Sequence, residues 1–214
     1  MTLQCPSCGR EQEPQLICQQ CGMPLPVELD CFAALGLPRK LTMDLPALEE
    51  RSHDLGKRIH PDRFASSPPR VRSASLSGAA LLTRSYRTLR DPVSRGLYWL
   101  ELNGEKLAEN NKRVPPELAE TVFEVQEQLA ELHEAGGVDD GALRREVEKR
   151  RVEMGNAMDE LREKLARNFT RWDLSDGSDR AELVAELKTT LSKIAYMRTL
   201  IRDVDRELES PKAD

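Results

Sequence analysis

The chain has 214 residues and a net charge of −5, and 32% of its residues are charged while only 4% are aromatic. This length allows more than one domain, and the shortage of aromatic residues favours thin helical layers around small cores. No run of about 18 apolar residues occurs, which excludes a transmembrane helix. The first residues resemble neither a signal peptide nor a transit peptide, so we expect a soluble cytoplasmic protein.

Basic residues are concentrated in one stretch of the chain. Residues 51–95 contain ten Lys/Arg and three Asp, whereas the rest of the chain contains 22 Lys/Arg and 34 Asp/Glu. A basic block in an acidic protein favours an acidic partner at that block, although most charge runs are simply solvated helix faces. Nucleic acid is not expected as a partner, because aromatic residues for base stacking are scarce around the block.

Residues 1–28 are predicted to form a small metal-binding module. Two CxxC pairs, each followed by a glycine, supply four candidate ligands: Cys5, Cys8, Cys18 and Cys21. Two residues between thiolates let one turn direct both sulfurs at one ion, and four thiolates suit a single structural zinc ion. The alternatives are a redox dithiol, disulfides or an iron–sulfur cluster. Disulfides are disfavoured without a secretion signal. We expect Cys31 to be buried near Phe32 and Leu35.

The chain pattern becomes helical over residues 29–103. An amphipathic stripe predicts a helix that begins near the capping candidates Thr42 and Asp44. This helix should end before His60, because Pro61 disfavours the helical conformation of the residue that precedes it. Another helix should follow the loop, and an Asp-Pro pair should separate it from a short apolar helix.

Residues 104–115 are predicted to be a linker, and residues 116–214 a helical bundle. Three long stretches carry apolar stripes at helical spacing, and the connections between them are short, so antiparallel packing is expected. The stripes consist of Leu118, Val122, Val125, Leu129 and Leu132; of Leu143, Val147, Met154, Met158, Leu161 and Leu165; and of Leu183, Leu187, Leu191, Ile194, Met197, Ile201, Val204 and Leu208. The first of these helices should end at the pair Gly136-Gly137. The predicted fold class is therefore all-α, with a helical domain, a three-helix bundle and a small zinc-ribbon-like module in front.

The loop between the first two long helices carries a candidate binding site. It contains the triplet His60, Pro61 and Asp62, flanked by the basic residues Lys57, Arg58 and Arg63. A proline lowers the entropy cost of docking a loop, and exposed basic residues steer encounter with a partner. The plainer interpretation is a simple turn. An enzyme with an acid–base pair here is disfavoured, because no nucleophile with a supporting oxyanion site accompanies it.

Residues 30–103 resemble a J-domain. The resemblance lies in four motifs in the expected order: FAALGL at 32–37, HPD at 60–62, YRTLRDP at 86–92, and Arg95. J-domains stimulate ATP hydrolysis by a DnaK-type chaperone, so the resemblance implies that the HPD triplet triggers hydrolysis in such a partner. It also implies that Lys57, Arg58 and Arg63 dock against acidic groups of that chaperone.

The segments HPDRFAS and LRDPVSRGLYWLELNG narrow the resemblance to HscB-type co-chaperones of iron–sulfur cluster assembly. These join a J-domain to a three-helix bundle, and some carry a four-cysteine zinc module in front. The resemblance implies two partners, an HscA-type ATPase chaperone and an IscU-like scaffold protein. The scaffold-binding residues that it implies are Phe123, Glu124, Glu127, Glu131 and Tyr196. Ala119 and Glu120 depart from the family, which usually has larger apolar residues there. The alternative is a general J-domain co-chaperone whose bundle and zinc module bind other clients.

Overall fold

A computed structural model describes residues 2–107, 114–135 and 141–209 of the chain. The chain divides into two compact units, Met1–Tyr98 and Trp99–Asp214. The expected helix end at Gly136-Gly137 lies outside the described residues, as does the middle of the expected linker.

The first unit begins with a small cysteine-rich module. Strand β1 (Leu3–Gln4) pairs antiparallel with strand β2 (Glu11–Gln12). The module has its own small core, made by Cys5, Cys18 and Leu25 with Leu3 and Val27 packed against them. A core of so few apolar side chains supplies little folding free energy. The module therefore depends on an additional cross-link, such as a bound metal ion.

The helical part of the first unit follows the predicted order. Its elements are α1 (Cys31–Ala34), α2 (Leu45–Ile59), a 3-10 helix (Pro61–Phe64), α3 (Pro69–Arg90) and α4 (Pro92–Leu102), whose last turn belongs to the second unit. Asp44 caps α2 by accepting a hydrogen bond of 3.1 Å from the N–H of Ala47. Helix α2 ends at Ile59, as the proline two residues later predicts.

The core of this unit forms where α3 packs against α1 and α2. Phe32, Leu35, Leu48, Ile59, Leu82 and Leu89 are buried there. Cys31 is buried as expected, and its N–H donates to the hydroxyl of Tyr98 over 2.9 Å. The side chain of Arg51 donates to the carbonyl oxygens of Leu35 and Gly36, which directly follow α1. The position of Arg51 in the sequence does not predict this contact.

The second unit is a three-helix bundle formed by α5 (Ala119–Ala135), α6 (Gly141–Leu174) and α7 (Arg180–Glu209). Helices α6 and α7 are antiparallel, because Arg151 pairs with Asp205 near one end and Asn168 with Thr190 nearer the other. Helices α5 and α7 run in parallel, because Glu117, just before α5, pairs with Lys193, and His133, near the end of α5, lies 3.4 Å from Glu207. The predicted all-α architecture is confirmed.

Most of the bundle core comes from the predicted apolar stripes, and Phe169 and Leu200, which lie outside those stripes, are also buried. Its buried members include Val122, Val125, Leu132, Val147, Met154, Met158, Leu165, Leu187, Leu191, Ile194, Met197 and Val204. Within the described part of the chain, no helix is long and apolar enough to cross a membrane.

Candidate functional site

The four predicted ligand cysteines lie together in the amino-terminal module. Their sulfur atoms are all within 4.8 Å of one another. The Sγ atoms of Cys5 and Cys21 are 3.6 Å apart, and those of Cys8 and Cys18 are 3.7 Å apart. A tetrahedral ion with metal–sulfur bonds of about 2.3 Å places its sulfurs about 3.8 Å apart. The four side chains are therefore positioned to bind one metal ion.

The two CxxC turns have the same backbone geometry. The N–H of Gly9 donates to the carbonyl of Cys5, and that of Gly22 to the carbonyl of Cys18, each over 2.9 Å. The φ angles of the two glycines are +72° and +71°, in the left-handed region where a Cβ atom is disfavoured. The glycine after each pair therefore allows the left-handed turn that closes each CxxC pair.

The surroundings of Cys18 favour the thiolate that a metal ion requires. Burial opposes ionisation, but hydrogen bonds from the N–H groups of Cys21 and Gln20 lower the pKa of Cys18 to about 6. The side chain of Gln12 in β2 also acts to lower the pKa of Cys18. Sequence reasoning missed Gln12, because a polar residue in a short strand carries no signal of such a contact.

The corner loop, residues 60–62, consists of His60, which follows α2, and the first two residues of the 3-10 helix, and its histidine and aspartate face solvent. The side chain of His60 is 58% exposed and that of Asp62 is 89% exposed. The N–H of Asp62 donates to Nδ1 of His60 over 3.3 Å, so the neutral imidazole carries its proton on Nε2. The loop thus presents a hydrogen-bond donor and a carboxylate to a protein that binds there.

The corner loop lies between two buried apolar residues, Ile59 and Phe64. Ile59 before it and Phe64 after it lie in the core of the first unit. The Oγ atom of Ser75, a buried residue of α3, donates to the carbonyl oxygen of Ile59 over 2.6 Å. This bond satisfies a carbonyl that the end of α2 leaves without a helical partner. Ser75 was not among the predicted site residues.

The predicted basic residues surround the corner loop. Lys57 and Arg58 are in the last turn of α2, and Arg63 is in the 3-10 helix. All three are exposed, and among the described residues none of them has an ion-pair partner. Their charges are therefore available to an acidic surface.

The predicted scaffold-binding residues lie on two neighbouring helices of the bundle. Phe123, Glu127 and Glu131 recur every four residues along α5, so they share one face. Phe123 is 68% exposed, which is unusual for so large an apolar side chain. Tyr196 on α7 is half-buried, and the parallel pairing of α5 and α7 places it within about one helical turn of Phe123 along the axis.

Glu124 has a different environment from the other predicted acidic residues. Its carboxylate lies 3.0 Å from the guanidinium of Arg150 on α6, whereas Glu127 and Glu131 are exposed. Ala119 and Glu120, the two departures from the family pattern, are also exposed. The sequence did not reveal the Arg150 contact, because the two residues lie on different helices.

No family model matches the chain. The chain is 30% identical over 189 residues to the co-chaperone protein HscB homolog of Azoarcus sp. strain BH72, a match that covers 88% of this chain and 98% of that protein. The chain belongs to the HscB co-chaperones. Another HscB homolog, from Cupriavidus taiwanensis, is 36% identical over 134 residues, which are 62% of this chain and 76% of the relative. Membership of this family makes the protein a co-chaperone and not an enzyme.

Two solved HscB structures have a similar fold. The human co-chaperone HscB aligns with a TM-score of 0.69 over 95% of this chain and 98% of its own. The chaperone HscB of Vibrio cholerae aligns with a TM-score of 0.60 over 83% of this chain and 96% of its own. Both are 23% identical to the chain, so they support the HscB fold and not the role of any residue.

Proposed function

We propose that this HscB co-chaperone stimulates the ATPase of a DnaK/HscA-type chaperone and delivers an IscU-like iron–sulfur scaffold protein to it. The observation that supports this proposal best is the corner loop. In this member of the HscB family, His60 and Asp62 are exposed, and they lie between the buried residues Ile59 and Phe64. A cytoplasmic location, predicted from the sequence, belongs to the same proposal.

The corner loop acts by binding and performs no chemistry of its own. His60 offers an N–H donor, Asp62 offers a carboxylate, and Pro61 restricts the backbone between them. Restriction before binding lowers the entropy lost when the loop docks. Lys57, Arg58 and Arg63 steer the encounter with an acidic surface of the chaperone.

Replacement of His60 tests the first half of the proposal. His60→Gln should abolish stimulation of the chaperone ATPase and leave the helical circular dichroism unchanged, because an exposed loop residue contributes little to stability. His133→Gln is the matched control, since His133 is an exposed histidine of the bundle. Stimulation that survives His60→Gln would remove the assigned role.

For the second half, we propose that Phe123, Glu127, Glu131 and Tyr196 bind the scaffold, with Glu124 at the edge of the site. A large exposed ring among carboxylates is the kind of anchor that dominates protein interfaces. Phe123→Ala should weaken scaffold binding by about 2 kcal/mol, or roughly 30-fold, as for other central aromatic anchors.

Val152→Ala is the control for this experiment, because Val152 is an apolar residue of α6 with 63% exposure and lies outside the proposed site. Isothermal calorimetry with the purified scaffold measures both variants. Equal affinities of the two variants would contradict the assignment of Phe123. Stimulation of the chaperone with no scaffold binding at all would favour the alternative, a general J-domain co-chaperone with other clients.

We infer that the ion held by Cys5, Cys8, Cys18 and Cys21 is zinc with a structural role. Four thiolates in tetrahedral positions fill its coordination sphere, so no position stays open for catalysis. Metal analysis of the purified protein should find one zinc per chain, and a chelator should leave the helicity of the bundle nearly intact. Iron in place of zinc, or loss of the bundle on chelation, would contradict this inference.

A further inference from the structure

The cysteine-rich module packs against α3 close to the residue at which α2 ends. Leu16, two residues before the ligand Cys18, is only 3% exposed. A Cβ atom added to Gly78 of α3 would lie 3.7 Å from Cδ2 of Leu16 and 2.3 Å from Cδ1 of Ile59. The absence of a side chain at Gly78 therefore lets Ile59 approach α3 closely, and Leu16 lies at contact distance from the same spot.

Ile59 is the last residue of α2 and is followed directly by His60. Its side chain is buried against α3, and its carbonyl oxygen accepts the hydrogen bond from Ser75. Displacement of Ile59 would therefore move the backbone from which the corner loop starts, and the position of His60 with it.

Leu16 is connected to the metal site through a second hairpin in the module. The N–H of Leu25 donates to the carbonyl of Leu16, and the N–H of Cys18 donates to the carbonyl of Met23, each over 2.9 Å. Cys18 and Cys21 close the tip of this hairpin, and their sulfurs belong to the metal-binding set. An ion bound by these cysteines would hold the hairpin together at the end opposite Leu25.

We infer that Leu16 is a positioning residue for the corner loop, and that the metal-bound module holds the loop in place through Leu16, Gly78 and Ile59. Loss of the ion would leave the hairpin with little to hold it, because the core of the module is so small. Leu16 would then no longer support Ile59, and the loop would spend part of its time in arrangements that the chaperone does not recognise.

A positioning role has a distinct kinetic result. The apparent affinity of a partner falls in proportion to the fraction of molecules in the competent arrangement. If that fraction drops to about one tenth, the co-chaperone concentration for half-maximal stimulation rises about tenfold. The maximal stimulation stays the same, because His60, Pro61 and Asp62 are all still present. Only this kinetic part rests on the proposed function.

The test compares Leu16→Ala with Leu3→Ala in the full chain, with and without a zinc chelator. Leu3 packs against the core of the module itself, so its replacement is a matched loss of apolar volume in the same module. We expect the amide resonances of Ile59, His60 and Asp62 to shift in Leu16→Ala and in chelated wild type, and to stay in place in zinc-bound Leu3→Ala. Leu16→Met, which conserves volume, should restore the wild-type resonances.

Resonances of Ile59, His60 and Asp62 that stay in place in both Leu16→Ala and the chelated protein would overturn the inference. Zinc content is measured for every variant, and if Leu16→Ala loses its metal, zinc-bound Leu16→Val takes its place with a smaller expected shift. Shifted resonances together with wild-type protein that stimulates no chaperone would instead refute the proposed function and leave the structural coupling intact.

Discussion

Gly78→Ala puts a methyl group where α3 has no room for it. Alanine in a helix interior is favoured over glycine by about 1 kcal/mol, so this change in an open helix would stabilise the protein. Here the new Cβ would lie 2.3 Å from Cδ1 of the buried Ile59. Overpacking of a core costs about 1–3 kcal/mol, so the net result should lie between no change and a loss of about 2 kcal/mol.

The control is a glycine-to-alanine change at a position in α2 where the added methyl group has room. A Cβ at Gly56 of α2 would lie 4.0 Å from Cδ2 of Leu82, an ordinary contact. Gly56→Ala should therefore stabilise the hairpin by about 0.5–1 kcal/mol. Because two units make a single unfolding free energy ill-defined, the opening free energies of α3 are measured by hydrogen exchange of its amides.

A double mutant tests the stated cause of the loss. Ile59→Val removes the methyl that the new Cβ would meet, at a cost of about 0.5–1.5 kcal/mol by itself. In the pair Ile59→Val and Gly78→Ala the clash is gone, so we expect a favourable coupling of about 1–3 kcal/mol. Additivity within about 0.5 kcal/mol would refute the steric argument.

Three further predictions concern charge. Glu124→Gln should weaken scaffold binding less than Glu127→Gln in calorimetry, because Arg150, which also pairs with Glu153, offsets part of the charge of Glu124. Burial opposes ionisation of Asp30, but an N–H of α1 and a neighbouring guanidinium lower its pKa, so its contribution to stability is present above about pH 4 and is lost as pH falls through the lowered value. In Asp30→Asn this part of the acid-induced loss should be missing from hydrogen-exchange or denaturation measurements. Arg58→Gln should raise the concentration for half-maximal ATPase stimulation more at low salt than at high salt, and an effect independent of salt would contradict a steering role.

The local features of the site were predictable because short stretches of chain determine them. Two residues between cysteines, with glycine after each pair, produce the same turn in both halves of the module. Pro61 ends α2 at the preceding isoleucine and leaves His60 and Asp62 exposed. Both features depend on residues next to one another, so no knowledge of tertiary contacts is needed.

The bundle was predictable for a related reason. Apolar residues at helical spacing identify the buried face of a helix wherever its neighbours are, and the predicted stripes of α5, α6 and α7 contain most of the residues that are buried. Periodicity also shows that Phe123 lies beside the stripe and not in it. Whether a ring in such a position packs at an edge or stands in solvent depends on the neighbouring helices, and it is exposed.

The sequence alone was enough to infer the two CxxC turns, the helix ends, the corner loop and the bundle helices. Each of these depends on contacts or repeats within a few turns of the chain. Only the tertiary structure brings Leu16 and Ile59 to Gly78, Ser75 to the end of α2, and Arg150 to Glu124. These pairs are separated by 16 or more residues and join different elements. Such contacts follow from how helices and the module pack against each other, which propensity and periodicity do not specify.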